Sequence, residues 1–213
     1  SREAVEKGYN LVIAVGGDGT VNEVVNGLLD EKGNSRATLG IIAAGTQNDI
    51  ARMLDIPRDY LRACQLFKNF EKVKIDIGAA EYTHHNEVRR RYYINTAGLG
   101  FVSDVIEGSI PHTKLKVIGG GIPYAIGVIP KAFDYQNKHV LVCIDGEKRE
   151  ERDFSIVVNN GRYLGGGRAF PGATPYDGLL DVAIIGNISK TAALVNFPLF
   201  FTGTYFDPQK IKI

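Results

Sequence analysis

No run of about 18 apolar residues occurs in this chain of 213 residues, so no segment of it is expected to span a bilayer as a helix. Cysteine is scarce. Cys64 stands beside Leu61 and Phe67, and Cys143 stands between Val142 and Ile144. Two isolated thiols in apolar patterns argue against a disulfide framework or a metal pair; they read as buried free thiols and fit a reducing, cytoplasmic setting. An excess of one charge is lacking too, since 25 Lys and Arg face 24 Asp and Glu for a net charge of +1. That balance gives no general pull toward nucleic acid. Two nucleotide signatures are also missing: there is no Gly-x-x-x-x-Gly-Lys-Ser/Thr, and no Gly-x-Gly-x-x-Gly opens the first long helix. A composition of 44% hydrophobic and 23% charged residues excludes disorder, and the length suffices for one large domain or two small ones. Two domains are expected.

The stretch from Leu11 to Leu29 organises what is present. Leu11, Val12, Ile13, Ala14 and Val15 form an apolar run that reads as a buried strand, and Gly16-Gly17-Asp18-Gly19-Thr20 follows. Val21, Val24, Val25, Leu28 and Leu29 then recur with the spacing of one helix face. Thr20 precedes that face with Glu23 three residues on, a capping-box pattern. Glycines let a backbone turn tightly and approach a ligand, and the free amides of a helix start favour an anion such as phosphate. A carboxylate at Asp18 would repel that phosphate unless a cation such as Mg²⁺ lay between them. A solvated turn aspartate is the plainer alternative.

The plan repeats. Thr38 to Ala44 is a second apolar run, and Gly45-Thr46-Gln47-Asn48-Asp49 leads into helical residues Ile50, Ala51, Met53 and Leu54. Two strand-turn-helix units in succession predict a parallel sheet with both turns at one edge, where open α/β folds bind ligands. Asp49 reads equally as a cap of the helix that follows it. Tyr60 to Phe67 is expected to be a helix with Leu61, Cys64 and Phe67 inward. Lys72 to Ile77 alternates as a half-buried strand, in which Asp76 also reads as a solvated residue. Further strands are expected at Ala79 to Thr83, Arg91 to Thr96, Lys138 to Ile144, Phe154 to Asn159 and Leu179 to Ile185, with Asp145-Gly146 as a hairpin turn. His84 and His85 read as exposed loop residues, and Arg89 to Arg91 as a solvated strand start. Val117 to Ile129 carries no charge over 13 residues, too few to span a bilayer; it reads as a packed loop and helix or as a surface facing lipid.

Taken in order, these segments resemble the catalytic domain of the diacylglycerol kinase family, in particular the bacterial soluble lipid kinases related to sphingosine and ceramide kinases. The resemblance rests on Gly16 to Thr20, Gly45 to Asp49, Ile75-Asp76-Ile77-Gly78, Asn95 to Phe101, Asn159-Asn160-Gly161, Gly165-Gly166-Gly167 and Asp177 to Asp181. It implies an α/β domain with parallel strands over residues 1–71 and an antiparallel β-sandwich domain over 72–213. The first strand of the one and the C-terminal part of the other are expected to be missing. The implied activity is ATP-dependent transfer of phosphate to a lipid hydroxyl such as that of diacylglycerol. By the same resemblance Gly16, Gly17, Asp18, Gly19, Thr20, Val21, Asn22 and Thr46 would hold the nucleotide, and Asp18, Asp49 and Asp76 would organise Mg²⁺ directly or through water. Asp177, otherwise a plain turn residue, would hold a structural Mg²⁺ or Ca²⁺ with backbone oxygens of Thr174 and Leu179.

The resemblance further implies a lipid substrate met at a membrane surface by peripheral association from the cytoplasm; nucleic acid is not an expected partner, and a homodimer stays open. The general-base glutamate is expected beyond Ile213. Asp145-Gly146-Glu147 has the right letters but precedes the triple glycine, so it reads as a surface turn. Ala44 and Gln47 stand where relatives often carry proline and glycine, and a side chain at 47 is expected to restrict the turn. Two other readings remain: an enzyme similar to NAD kinase, which also carries a Gly-Gly-Asp-Gly-Thr turn, and a nucleotide- or lipid-binding module without catalysis.

Overall fold

The computed structural model describes residues 1–68, 71–104, 135–153, 155–187, 189 and 191–192. Its contacts divide the chain into two compact units. The first comprises Ser1–Thr96, Asn160–Tyr163 and Gly172–Leu180, and the second Ala97–Asn159, Leu164–Pro171 and Asp181–Ile213.

In the first unit a short helix α1 (Arg2–Glu6) precedes β1 (Leu11–Gly16), and helix α2 (Asp18–Leu28) carries the chain across to β2 (Thr38–Ala43). The two strands pair in parallel, Leu11 beside Thr38 and Gly16 beside Ala43, so both glycine turns leave the same sheet edge. Val21, Val25 and Leu28 of α2 are buried, with Val24 and Leu29 packed partly against the core, which is the face that the periodicity predicts. Ala14, Ile41, Ala43, Ile50, Ala51 and Ile94 complete that core. Each fully buried aliphatic side chain contributes roughly 1.5–3 kcal/mol. Strand β1 is buried on one face only: Ile13 is 41% and Val15 60% exposed, whereas the five-residue apolar run predicts burial throughout. Asp30 fixes the loop after α2 by accepting from the backbone and side-chain amides of Asn34, which hold its carboxyl below the usual range.

Helix α3 (Asp49–Met53) follows the second turn, and α4 (Tyr60–Leu66) follows it, capped by Asp59, whose Oδ1 accepts the Arg62 N–H at 2.8 Å. The inward row of α4 is Ala63, fully buried, with Phe67 one turn on, against Gly40. Leu61 and Cys64 lie off that row and are exposed, contrary to expectation. The segment from Lys72 to Ile77 forms no strand. Its alternation does turn Ile75 and Ile77 to the core, but the Asp76 N–H donates to Pro175 O at 2.8 Å instead of to a neighbouring strand. A hairpin of β3 (Gly78–His84) and β4 (Glu87–Tyr93) then packs on α2. Asn26 fastens it in the manner of a peptide group: Nδ2 donates to Tyr92 O at 2.8 Å and Oδ1 accepts the Tyr92 N–H at 2.9 Å. The strand expected from Arg91 to Thr96 is broken at Ile94 and Asn95.

In the second unit β5 (Thr96–Gly100), β8 (Ser155–Asn159) and β9 (Asp181–Ile185) form one sheet in the order β5-β8-β9, with β8 and β9 antiparallel. Ser155 Oγ donates to Leu99 O at 2.9 Å and accepts the Val102 N–H at 3.3 Å. Strands β6 (Lys138–Ile144) and β7 (Glu147–Asp153) form an antiparallel hairpin. Its turn is Asp145-Gly146, both with positive φ, the pair that a two-residue type I′ turn requires. Cys143 is exposed, because strand alternation turns it away from half-buried Val142 and Ile144. The triple glycine is a tight reversal in which Leu164 and Gly167 exchange both backbone hydrogen bonds over Gly165 and Gly166, each with positive φ. The uncharged run from Val117 to Ile129 and the final Lys210 to Ile213 lie outside the described residues.

Candidate functional site

The two glycine turns lie in backbone contact within the first unit. A Cβ on Gly45 would stand 2.3 Å from the Gly17 Cα, a distance that only glycine at 45 avoids. Helix α2 begins at Asp18 with Gly17 as its N-cap, and no side chain caps it. Thr20 therefore lies inside the first turn and forms no capping box, because the glycine pair has already started the helix; Glu23 pairs with Arg91 instead. The amides of a helix's first turn have no intrahelical acceptor, so at this edge they are available to an anion. Gly16 closes β1, Gly19 and Thr20 are exposed, and the Val21 side chain is buried in the core, which leaves it only a backbone contribution. Asn22 Oδ1 accepts the Ile94 N–H at 3.3 Å.

The second turn is closed by Asn48. Its Oδ1 accepts the Gly45 N–H and its Nδ2 donates to Gly45 O, both at 2.8 Å, with the backbone at φ 56°. The left-handed residue is thus Asn48, and Gln47 sits in an ordinary conformation with its carbonyl accepting from Arg58 at 2.8 Å. Neither Gln47 nor Ala44 takes a positive φ. Thr46 is exposed at its tip.

Each of the three aspartates expected to organise a cation has a defined partner. Asp18 Oδ1 accepts the Ile50 N–H at 2.8 Å, so the first residue of α2 caps the start of α3. Asp49 is 3% exposed and pairs with Arg52 at 3.3 Å, and the Arg52 guanidinium lies over the Tyr163 ring at 4.1 Å. Asp76 Oδ2 accepts the Gly178 N–H at 2.7 Å. Among the described residues nothing donates to Asp18 Oδ2 or Asp76 Oδ1, which suits a hard cation. Among those residues, too, no three His, Cys, Asp or Glu side chains gather closely enough to enclose a metal. A Mg²⁺ site does not require such a cluster, because the ion commonly takes one or two carboxylates and completes its shell with water and substrate phosphates.

Thr174, Asp177 and Leu179 all lie in the segment Gly172–Leu180. Asp177 Oδ1 accepts the Leu179 N–H at 3.0 Å, an Asx turn within that loop. Sequence reasoning missed Asn160, which is fully buried and whose Nδ2 donates to both Asp76 O at 2.7 Å and Ile94 O at 2.9 Å. It also missed Asn95, whose Nδ2 donates to Tyr163 O at 2.8 Å. Both belong to the quoted motifs, and an asparagine inside an apolar pattern was the available signal.

The family model described as the diacylglycerol kinase catalytic domain matches residues 1–80, and the one described as the YegS C-terminal NAD kinase beta sandwich-like domain matches residues 110–213. A diacylglycerol kinase of Bacillus subtilis is 34% identical over 199 residues, covering 92% of this chain and 60% of that protein. A probable lipid kinase YegS-like of Chromohalobacter salexigens is 34% identical over 191 residues, covering 89% of this chain and 58% of that protein. The crystal structure of a diacylglycerol kinase from Bacillus anthracis superposes with a TM-score of 0.65 at 29% identity, covering 100% of this chain and 62% of that one. The chain thus spans about three fifths of the length of these relatives. Two family models in succession, relatives at 34% identity over nearly all of its length and paired glycine turns on a parallel sheet edge lead to one conclusion: the chain belongs to the diacylglycerol kinase catalytic-domain family.

Proposed function

We propose that this chain carries the nucleotide site of an ATP-dependent lipid kinase that transfers the γ-phosphate to a lipid hydroxyl such as that of diacylglycerol. The observation that carries the reading is the backbone contact between Gly17 and Gly45, which sets the uncapped start of α2 beside the Asn48-closed turn at one sheet edge. Phosphoryl transfer asks the protein chiefly for alignment and charge neutralisation, and oriented amides supply both without reorganising. Gly16 to Asn22 and Thr46 would bind and orient the phosphates. Asp18, Asp49 and Asp76 would hold Mg²⁺ directly or through water, and the bound ion would neutralise charge on the β- and γ-phosphates. In the reaction the lipid oxygen bonds to the γ-phosphorus and its hydroxyl proton passes to a base or to water, while the bond to the β-phosphate oxygen breaks and ADP leaves.

The relatives' names, diacylglycerol kinase and lipid kinase, favour a lipid acceptor over NAD. The loop around Asp177 is read as a second, structural site for Mg²⁺ or Ca²⁺, with the Thr174 and Leu179 carbonyls as further ligands. Among the described residues no helix is long and apolar enough to cross a membrane. Access to a lipid then falls to peripheral association from the cytoplasm, for which the uncharged run Val117 to Ile129 is the candidate, with a role in phospholipid synthesis. The decisive experiment incubates the full-length protein with γ-labelled ATP, Mg²⁺ and a panel of diacylglycerol, ceramide, sphingoid base, undecaprenol and NAD, and separates the products by thin-layer chromatography. Label in a lipid supports the reading. Label in NAD alone, or in no product, overturns it.

A further inference from the structure

We propose that Asn160 is a positioning residue for the Asp76 carboxylate and, through it, for magnesium-dependent nucleotide binding; the inference rests on the kinase reading of the site. Asn160 is fully buried, and its side-chain amide forks between the carbonyls of Asp76 and Ile94 at 2.7 and 2.9 Å. Its own N–H donates to Asn95 O at 2.7 Å. One residue therefore ties together Asp76 and the Ile94–Asn95 break between β4 and β5.

The effect on Asp76 follows from the bonds on either side of it. Its N–H is held by Pro175 O at 2.8 Å and its C=O by Asn160, so the peptides flanking its Cα are fixed and the direction of its Cβ with them. What remains is rotation of the side chain, and the Gly178 N–H, 2.7 Å from Oδ2, removes most of that. Oδ1 has no donor among the described residues and is the oxygen left to face a cation or its water. Asn160 Oδ1 is buried with no hydrogen-bond partner among the described residues. A side chain kept only for packing would not bury an unmatched acceptor. Its two donor bonds are what the position gains.

Groups that orient a metal-binding carboxylate typically change metal affinity by 10- to 100-fold when removed. The test uses the full-length protein and a non-hydrolysable ATP analogue, with binding followed by calorimetry across a magnesium titration and again in chelator. Asn160→Ser removes both amide N–H donors and leaves a single hydroxyl on a shorter side chain. Asn159→Ser is the matched control, since Asn159 is also fully buried but belongs to the second unit, where its Nδ2 donates to Asp181 O. The expected result is about a tenfold rise in the magnesium needed for half-maximal binding in Asn160→Ser, with metal-free affinity unchanged. Asn159→Ser is expected to lower the melting temperature without moving the magnesium requirement. Equal magnesium requirements in Asn160→Ser and wild type overturn the proposal alone, whereas wild-type binding that ignores magnesium overturns the kinase reading with it. Amide exchange at Gly178 in the wild type is the second measurement and needs no variant: slowed exchange supports the clamp, and exchange at the rate of an unbonded loop amide overturns it.

Discussion

Under the proposed reading Asp18 has two roles, a cap on α3 and a charge toward Mg²⁺, and two substitutions separate them. Its Oδ1 accepts the N–H of Ile50, a residue 2% exposed, at 2.8 Å. Asp18→Ala removes that acceptor and leaves a buried donor unmatched, at a cost of about 1–3 kcal/mol, which overlaps the range for a lost helix N-cap. Asp18→Asn keeps an oxygen in the same place. A neutral acceptor makes a hydrogen bond roughly half as strong as a charged one, so that variant should lose under about 1 kcal/mol. In a chain of this size 1 kcal/mol moves the melting temperature by about 2–4 °C. Asp18→Ala should therefore melt about 4–8 °C below wild type for a mid-range loss of about 2 kcal/mol, and Asp18→Asn within about 4 °C of it. Turnover should behave differently: both variants lack the charge expected to act on Mg²⁺, and both should fall by about 10²–10³ in the full-length enzyme. Circular dichroism melts without nucleotide, paired with transfer of labelled phosphate, read the two roles independently. An Asp18→Ala melt that matches wild type would refute the cap, and an Asp18→Asn enzyme with wild-type turnover would refute the metal role.

Gly45→Ala places a Cβ 2.3 Å from the Gly17 backbone, which has no side chain to swing aside, so urea unfolding should show a loss of about 1–3 kcal/mol together with weakened nucleotide binding. Removing divalent metal with a chelator, in the absence of nucleotide, should lower the melting temperature through the loop around Asp177, and superimposable melts would favour a plain Asx turn there. Glu147→Gln should leave turnover within about twofold, because Glu147 follows an exposed hairpin turn and pairs only loosely with Arg149 at 3.4 Å; a large loss would mark it as the base. Liposome flotation of the full-length protein should weaken when Ile126 or Ile129 is changed to Glu, and unchanged flotation in both would assign membrane contact elsewhere.

What was legible in the sequence is what side-chain period and glycine placement encode. Val21, Val25 and Leu28 announce the buried face of α2, and two apolar runs each ending in a glycine turn announce the parallel pair β1 and β2. The misreadings arise where neighbours decide. Cys143 stands between apolar residues in sequence, yet a strand turns alternate residues apart, and its own face of the hairpin is the exposed one. Leu61 and Cys64 fit a helical stripe, but α4 is seven residues long and meets the core through Ala63. Lys72 to Ile77 alternates as a strand would, while its backbone bonds go to a loop about 100 residues away, which no local pattern reveals. The site shows the same limit: its aspartates stand out in the chain, but Ile50, Asn160 and Gly178 as partners of Asp18 and Asp76 lie 32, 84 and 102 residues distant.

Those partners bear on how the carboxylates work together. Three acidic groups near one nucleotide would repel both each other and its phosphates, and each is offset by a donor already in place: the Ile50 amide for Asp18, Arg52 for Asp49 and the Gly178 amide for Asp76. Orientation is thus set before a ligand arrives, which is the condition under which electrostatic stabilisation costs least at the moment of reaction. The three tethers differ in strength of support. Ile50 is buried and Arg52 lies one helical turn from Asp49, whereas Gly178 sits on an exposed loop. With its backbone held by Pro175 and Asn160, what depends on that exposed loop is the rotation of the Asp76 side chain, and the loop is the one Asp177 organises. Under the proposed reading, a cation at Asp177 and a cation on the nucleotide are coupled through one hydrogen bond from Gly178 to Asp76. By linkage, whatever the first does for the second's affinity, the second must do for the first.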